Sequence, residues 1–190
     1  MFERDIIRQL SAWKMDVNRK PLVIHGARQV GKTWALKYFG KVYFEDVAYF
    51  SLDKDESGLC DIFKTTKDPR RIIQQLSFLH GKKINPQTTL LILDEIQECN
   101  EALNALKYFC EEAPEYAVAC AGSLLGIYLN HIGNSFPVGK VNHLSMYPLT
   151  FTEFLKTKDP NMYEYLCSIK EIAPLPQIFF DKLRESFVAY

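Results

Sequence analysis

The chain has 190 residues, of which 47% are hydrophobic, and its 23 basic and 23 acidic side chains cancel in formal charge. This length can bury a sizeable core and allows one or two domains, while a balanced charge creates no global field toward nucleic acid or a membrane surface. Because of this balanced charge, we expect no nucleic-acid partner for this chain alone. The longest apolar tract, residues 116–129, is too short and too interrupted by Gly and Ser to span a bilayer, so we expect no membrane partner.

The first predicted element is an amphipathic helix over residues 3–14, in which apolar side chains recur at helical spacing. A linker over residues 16–20 follows. The apolar run at residues 21–25 then predicts a buried strand, and a helix is predicted over residues 32–39.

The segment between this strand and this helix fits the phosphate-binding loop pattern GxxxxGK followed by Ser or Thr. Its glycines allow backbone N–H groups to curl around the β- and γ-phosphates of a nucleotide. Lys32 places an ammonium against the phosphates, and the Thr33 hydroxyl is a ligand for Mg²⁺. The helix that starts at Lys32 adds its N-terminal dipole. The predicted nucleotide-binding residues are Gly26, Ala27, Arg28, Gln29, Val30, Gly31, Lys32, Thr33 and Trp34.

The following elements alternate between strands and helices. Gly40 has the position of a helix C-cap glycine, and residues 42–52 predict a second strand. Apolar residues within 72–79 and within 103–110 each mark one face of a helix. This alternation predicts an α/β fold with right-handed crossovers and a parallel sheet covered by helices on both faces.

An unbroken run of Thr, Leu and Ile over residues 88–93 is typical of a central parallel strand that is buried on both faces. Asp94 and Glu95 follow it directly. Because ligands bind at the carboxyl ends of the strands in an open α/β sheet, we expect both acids at the same edge as the phosphate-binding loop. Asp94 would hold the Mg²⁺ shell, and Glu95 would orient and deprotonate the attacking water.

A further strand over residues 116–121 ends at Gly122 and Ser123. A polar side chain at this strand end would lie between the loop and the acids, so Ser123 is a candidate sensor of the γ-phosphate or of the water. It is equally suited to cap the next helix, and the two roles are compatible. Residues 141–147 predict a fifth strand, and residues 151–190 predict helices broken by prolines.

The cysteines and the first residues indicate in which cellular compartment we expect the protein. The five cysteines are odd in number and scattered with no CxxC pair, which argues against a disulfide framework or a zinc site. Residues 1–5 contain acids and no apolar core, unlike a secretory signal. These features favour a reducing environment, and we expect a cytoplasmic protein.

Five sequence blocks together resemble a known family. They are KPL leading into GARQVGKT, LDEIQE at 93–98, AGSLLG at 121–126, PVGKV at 137–141 and MYPLTFTEFL at 146–155. The chain resembles the N-terminal module of prokaryotic AAA-type ATPases that carry a C-terminal domain of unknown function. The resemblance runs from about residue 18 to about residue 157.

The resemblance implies a P-loop NTPase three-layer sandwich with a parallel five-stranded sheet in the order 5-1-4-3-2. It implies an ATPase core over residues 1–157, with the N-terminal helix and linker in residues 1–20. Residues 158–190 would be the helical start of a lid or C-terminal domain. The resemblance also implies the phosphate and Mg²⁺ roles for Lys32 and Thr33, the metal and water roles for Asp94 and Glu95, and the sensor role for Ser123. Because family members continue past this length, we expect a fragment, with a naturally short protein as the alternative.

Lys140 lies just before the fifth predicted strand, where AAA-type ATPases commonly carry an arginine finger that reaches the γ-phosphate in a neighbouring subunit. A lysine is a weaker substitute because its ammonium is a point charge and makes no bidentate contact. Two roles remain open for Lys140. It acts catalytically in trans within a homo-oligomer, or it makes a local contact in its own chain.

These observations predict an ATP-binding, Mg²⁺-dependent ATPase whose hydrolysis drives a conformational change in a C-terminal effector domain. ATP is preferred over GTP from the resemblance and because the sequence lacks a guanine-reading Asn-Lys-x-Asp motif. The alternative is a nucleotide-dependent switch that binds ATP but scarcely hydrolyses it, since no clear arginine finger or lid is present. A small-molecule kinase is disfavoured because the adjacent acids suit water activation.

Overall fold

The computed structural model describes residues 4–53, 58–123, 139–171 and 174–190. They form two compact units, one of Ile6–Tyr147 and one that combines Met1–Asp5 with Pro148–Tyr190. The elements of the first unit are α1 (Ile6–Met15), β1 (Leu22–His25), α2 (Lys32–Tyr43), β2 (Asp46–Ser51), α3 (Leu59–Thr65), α4 (Pro69–His80), β3 (Thr89–Asp94), a 3-10 turn (Ile96–Glu98), α5 (Asn100–Glu112), β4 (Ala117–Gly122) and β5 (Asn142–Ser145). The second unit contains α6 (Phe151–Lys158), α7 (Pro160–Ser168) and α8 (Gln177–Ala189).

The five strands form one parallel sheet in the order β2-β3-β4-β1-β5. This is the predicted order 5-1-4-3-2 read from the other edge, so the predicted α/β fold is confirmed. The register pairs His25 with both Gly122 and Ser145, and it pairs Ser51 with Asp94. The carboxyl ends of all five strands therefore meet at one edge, which is the edge where the loop and the two acids were expected.

Alternate residues of β3, an interior strand, contribute to two separate apolar clusters, one on each face of the sheet. Leu91 and Leu93 pack with residues of α3, α4 and α5, whereas Leu90 and Ile92 pack with residues of α1 and α2. All four side chains are fully buried. This two-sided burial is the reason for an unbroken apolar run in place of alternation.

Helix α2 differs from its predicted boundaries. It runs to Tyr43, so Gly40 lies inside the helix and is not its C-cap. A Cβ atom at Gly40 would lie 2.6 Å from Val47 Cγ2 and 3.2 Å from Leu90 Cδ2. The glycine is thus explained by the close packing of the helix backbone on β2 and β3. Because α2 continues to Tyr43, the second strand is shorter than the predicted 42–52.

Cys60 and Cys99 form a disulfide, contrary to the expectation from the cysteine spacing. Cys60 lies in α3 and Cys99 directly precedes α5, and these two helices contact each other. The fold therefore brings together two cysteines that are 39 positions apart and belong to no spacing motif. Cys110, Cys120 and Cys167 are free, and burial raises the pKa of the Cys120 thiol.

In the second unit, Thr150 caps α6 through a capping box with Glu153. The Glu153 carboxylate also accepts hydrogen bonds from the Asp5 N–H at 2.8 Å and from the Arg4 guanidinium at 3.2 Å. Burial acts to raise the pKa of Glu153, but these donors together hold that pKa below its usual value. Helix α6, which the sequence analysis assigned to the ATPase core, lies in this unit. None of the described helices has both the length and the apolar character needed to cross a membrane.

Candidate nucleotide site

The loop between β1 and α2 adopts a backbone that few residues tolerate. Gln29 has φ 64° and Gly31 has φ 93°, and Gln29 is a non-glycine residue in the left-handed region. A Cβ atom at Gly26 would lie 2.1 Å from the carbonyl oxygen of Met146, which follows β5. Left-handed residues other than glycine store about 1–3 kcal/mol and are concentrated at functional sites.

Helix α2 begins at Lys32 with an open N-terminus. Gly31 is its N-cap residue, the first turn has no acid, and within the described chain no side chain caps the helix. The first N–H groups of a helix have no partner within the helix, and the macrodipole places partial positive charge there. The loop therefore ends in a backbone site that suits a phosphate group.

The Lys32 side chain folds back over the loop. Its ammonium donates to the carbonyl oxygens of Gly26 at 3.0 Å and Ala27 at 2.7 Å. Burial is the main effect that lowers the pKa of Lys32, and Arg28 lowers it further, against the opposing charge of the acids that follow β3. The ammonium is thus held inside the loop, where the sequence motif predicts a phosphate contact.

Thr33 and Asp94 meet at the carboxyl edge although they are 61 positions apart. The Thr33 hydroxyl donates to Asp94 Oδ2 at 2.8 Å. The Asp94 residue is only 5% exposed. Hydroxyl, carboxylate and water oxygens are the hard ligands that Mg²⁺ prefers. A buried carboxylate beside a hydroxyl therefore fits Mg²⁺, and these two residues would hold it.

Glu95 is held by two side-chain donors. Its Oε2 accepts from the Ser123 hydroxyl at 3.2 Å and from the Gln97 amide at 2.5 Å. The Glu95 backbone is left-handed at φ 51°, which turns the chain sharply after the buried strand. The structure thus brings Ser123 to the carboxylate that sequence analysis assigned to water activation. The alternative helix-capping role of Ser123 concerns residues 124–138, which lie outside the described residues.

A cavity of about 610 Å³ opens between the loop and the strand ends. Basic side chains of the loop and carboxylates that follow β2 and β3 both line it, which suits an anionic phosphate group accompanied by a metal cation. The lining residues are Arg28, Gln29, Gly31, Lys32, Thr33, Trp34, Asp53, Glu95 and Glu98. Among the other residues predicted to bind nucleotide, Val30 packs in the apolar cluster of α1 and α2.

The sequence from residue 18 to residue 155 matches the family of AAA domains. The chain belongs to this family. This match confirms the AAA-type part of the resemblance and indicates an ATPase domain that binds nucleotide. No match was found among curated proteins.

Three solved structures of other proteins match the backbone of this chain. The ORC1 protein of Aeropyrum pernix in complex with DNA is 12% identical with a TM-score of 0.51, and the match covers 98% of this chain and 66% of that one. AMPPCP-bound DnaA from Aquifex aeolicus is 15% identical with a TM-score of 0.46, covering 97% and 57%. PCH-2 of C. elegans is 13% identical with a TM-score of 0.48, covering 97% and 60%. The chain spans less than two thirds of each, and the likeness to ORC1 shows the fold alone.

Lys140 is not brought to the nucleotide site of its own AAA domain. It precedes β5, and the amino ends of parallel strands lie at the edge opposite the loop. Its ammonium pairs with Glu111 Oε1 of α5 at 2.9 Å, and this hydrogen bond raises the pKa of Lys140. The local contact that sequence analysis considered is therefore present, and a contact with another subunit stays a prediction.

Four further residues contribute to the site although the sequence motifs assign them no role. Tyr49 donates to Asp94 Oδ2 at 2.9 Å, Gln97 donates to Glu95, and Asp53 and Glu98 line the cavity. Gln97 and Glu98 belong to the block LDEIQE, so position in that block is a usable signal. Tyr49 and Asp53 carry no local signal because their place depends on the pairing of β2 with β3.

Proposed function

We propose that this AAA domain binds ATP together with Mg²⁺ and hydrolyses the phosphoanhydride bond between the β- and γ-phosphates, releasing ADP and phosphate, and that hydrolysis drives a conformational change in an effector domain. The observation that carries the proposal is the 2.8 Å hydrogen bond between Thr33 and Asp94. This hydrogen bond joins the end of the phosphate-binding loop to the acids at the end of β3. A P-loop ATPase needs these groups at one place because phosphoryl transfer depends on positioning and on charge stabilisation.

The residues of the site then take the following roles. The loop backbone and Lys32 bind the phosphates, and Thr33 and Asp94 hold the metal. Mg²⁺, when bound, neutralises charge that develops on the phosphate oxygens. Glu95 accepts a proton from the attacking water, and Ser123 keeps the Glu95 carboxylate oriented while it senses the γ-phosphate.

A second candidate function is a nucleotide-dependent switch with very slow hydrolysis. Three contacts favour it. The Glu95 carboxylate is already engaged by Gln97 and Ser123, and Lys140 is paired with Glu111 away from the cavity. Without an added cationic group, intrinsic hydrolysis at a P-loop site is slow, so ATP would remain bound and act as a signal.

Steady-state phosphate release by wild type and Glu95→Gln separates the two functions. We expect Glu95→Gln to lower kcat at least about 100-fold, because a positioned general base contributes about 10²–10⁴. ATP affinity should stay within about threefold, since Glu95 acts on the water and not on the phosphates. Glu112→Gln is the matched control, because it removes the same charge from an exposed position of α5 that does not line the cavity.

The control should keep kcat within a few-fold of wild type. Equal, low rates in wild type and Glu95→Gln with intact ATP binding would support the switch and contradict hydrolysis. Absence of ATP binding to the wild-type protein, even at millimolar nucleotide, would contradict both functions.

A further inference from the structure

The Tyr49 hydroxyl is a second donor to the carboxylate of Asp94. Its oxygen lies 2.9 Å from Asp94 Oδ2, the same atom that accepts from the Thr33 hydroxyl at 2.8 Å. The other carboxylate oxygen, Oδ1, accepts from the Glu95 N–H at 3.1 Å. These donors together fix the rotation of the carboxylate and determine which oxygen faces Thr33.

Tyr49 is itself held by the sheet and by α2. The register pairs it with Ile92, two positions before Asp94, so its side chain reaches the end of β3 from the neighbouring strand. The ammonium of Lys37 lies 3.4 Å from the centre of the Tyr49 ring. Lys37 is four positions after Thr33, and residues at this spacing share one face of a helix. The tyrosine is therefore held between α2 and the metal-holding carboxylate.

The Tyr49 hydroxyl donates toward Asp94. A carboxylate oxygen can only accept, so in the 2.9 Å hydrogen bond the proton of the Tyr49 hydroxyl points to Asp94 Oδ2. Tyr49 is not among the described residues that line the 610 Å³ cavity. It touches the Mg²⁺ ligand and not the space for nucleotide.

We propose that Tyr49 is a positioning residue that orients the Asp94 carboxylate for Mg²⁺. The inference rests on the proposed Mg²⁺–nucleotide site. Hydrogen-bond partners behind a metal ligand fix its orientation, and their loss typically weakens metal affinity by about 10–100-fold. Two donors besides Tyr49 remain on Asp94 after its removal, so the lower end of that range applies.

Tyr49→Phe isolates the hydroxyl, because the ring and its contact with Lys37 are retained. The probe is a fluorescent N-methylanthraniloyl ATP, titrated in EDTA and then with increasing Mg²⁺. In EDTA we expect its affinity to stay within about twofold of wild type, because the metal ligand is not engaged. The Mg²⁺ concentration for half-maximal tightening should rise roughly tenfold. Binding is measured directly, so the readout does not depend on turnover.

Two further variants define the scale of this experiment. Asp94→Asn should abolish the tightening by Mg²⁺ and mark the full loss. Tyr116→Phe is the matched control, because Tyr116 is also a partly buried tyrosine but precedes β4 at the opposite edge of the sheet. It should leave the Mg²⁺ titration unchanged.

The outcomes distinguish this inference from the proposed function. If wild type shows no tightening by Mg²⁺, the metal site fails and the role of Tyr49 fails with it. If wild type tightens, Asp94→Asn does not, and Tyr49→Phe follows wild type, only the role of Tyr49 is overturned. An equal shift in Tyr49→Phe and Tyr116→Phe also overturns it, because the effect is then not specific to Asp94.

Discussion

Gly40 provides a quantitative test of how closely α2 packs against the sheet. In a helix interior, Gly→Ala ordinarily stabilises by about 1 kcal/mol because the unfolded chain loses freedom. At Gly40, however, the added Cβ would lie 2.6 Å from Val47 Cγ2 and 3.2 Å from Leu90 Cδ2. Overpacking a well-packed core costs about 1–3 kcal/mol. We therefore expect Gly40→Ala to lower the free energy of unfolding by about 1 kcal/mol, the difference of these two terms.

Val47→Ala removes the nearest clashing atom and permits a double-mutant cycle. In the Val47→Ala background only the Leu90 methyl remains close, and it needs to move by a few tenths of an ångström. Gly40→Ala should then stabilise by up to about 1 kcal/mol, because the helix-propensity term is no longer offset. The coupling energy between the two positions should be about 1–3 kcal/mol.

Urea unfolding followed by far-UV circular dichroism measures all four proteins. The m-values should agree, so that shifts in midpoint report stability alone. Stabilisation of the wild-type background by Gly40→Ala would refute the packing argument. An identical effect of Gly40→Ala in both backgrounds would also refute it, because the cost would then not come from Val47.

Two further predictions concern charged groups away from the cavity. The hydrogen bond from His80 lowers the pKa of Asp46 below its unfolded value of 3.8. Charged Asp46 therefore stabilises the fold above pH 3.8, and this contribution is lost as the pH falls through the pKa of the folded state. Asp46→Asn should therefore lose less stability than wild type when urea unfolding is compared at neutral pH and at about pH 3, whereas equal losses would contradict this. If Lys140 acts on a neighbouring subunit, the turnover of wild type should rise with protein concentration. Lys140→Ala should lower this turnover and keep the ATP affinity within about threefold of wild type. Undiminished turnover, or the same loss in the control Lys107→Ala, would exclude that role.

The residues of the phosphate-binding loop could be identified from the sequence because they are consecutive. The glycines, Lys32 and Thr33 carry the motif within one short segment, and Asp94 and Glu95 directly follow one apolar run. Parallel strands place their carboxyl ends at one edge, so the meeting of Thr33 with Asp94 followed from general rules of α/β sheets. The strand order needed more than periodicity, and it came from the family resemblance.

The helix boundaries and the contacts between elements were harder to predict from the sequence. Gly40 was predicted to end its helix, because a glycine often follows the last turn of a helix. In the structure, the close approach of β2 and β3 to the helix requires a residue without a side chain at position 40. Cys60 and Cys99 looked unrelated because nothing local marks their approach. In each case the decisive neighbour lies on another element.

Local sequence was therefore sufficient for the fold class and for locating the loop and the acids at one edge of the sheet, because hydrophobic period, strand ends and a contiguous loop motif are short-range properties. The support of those residues depended on long-range packing. The hydroxyl of Tyr49 reaches Asp94, 45 positions away, only because β2 lies beside β3 in one particular register. Register and side-chain packing follow from the whole core at once, and no segment of the chain contains that information by itself.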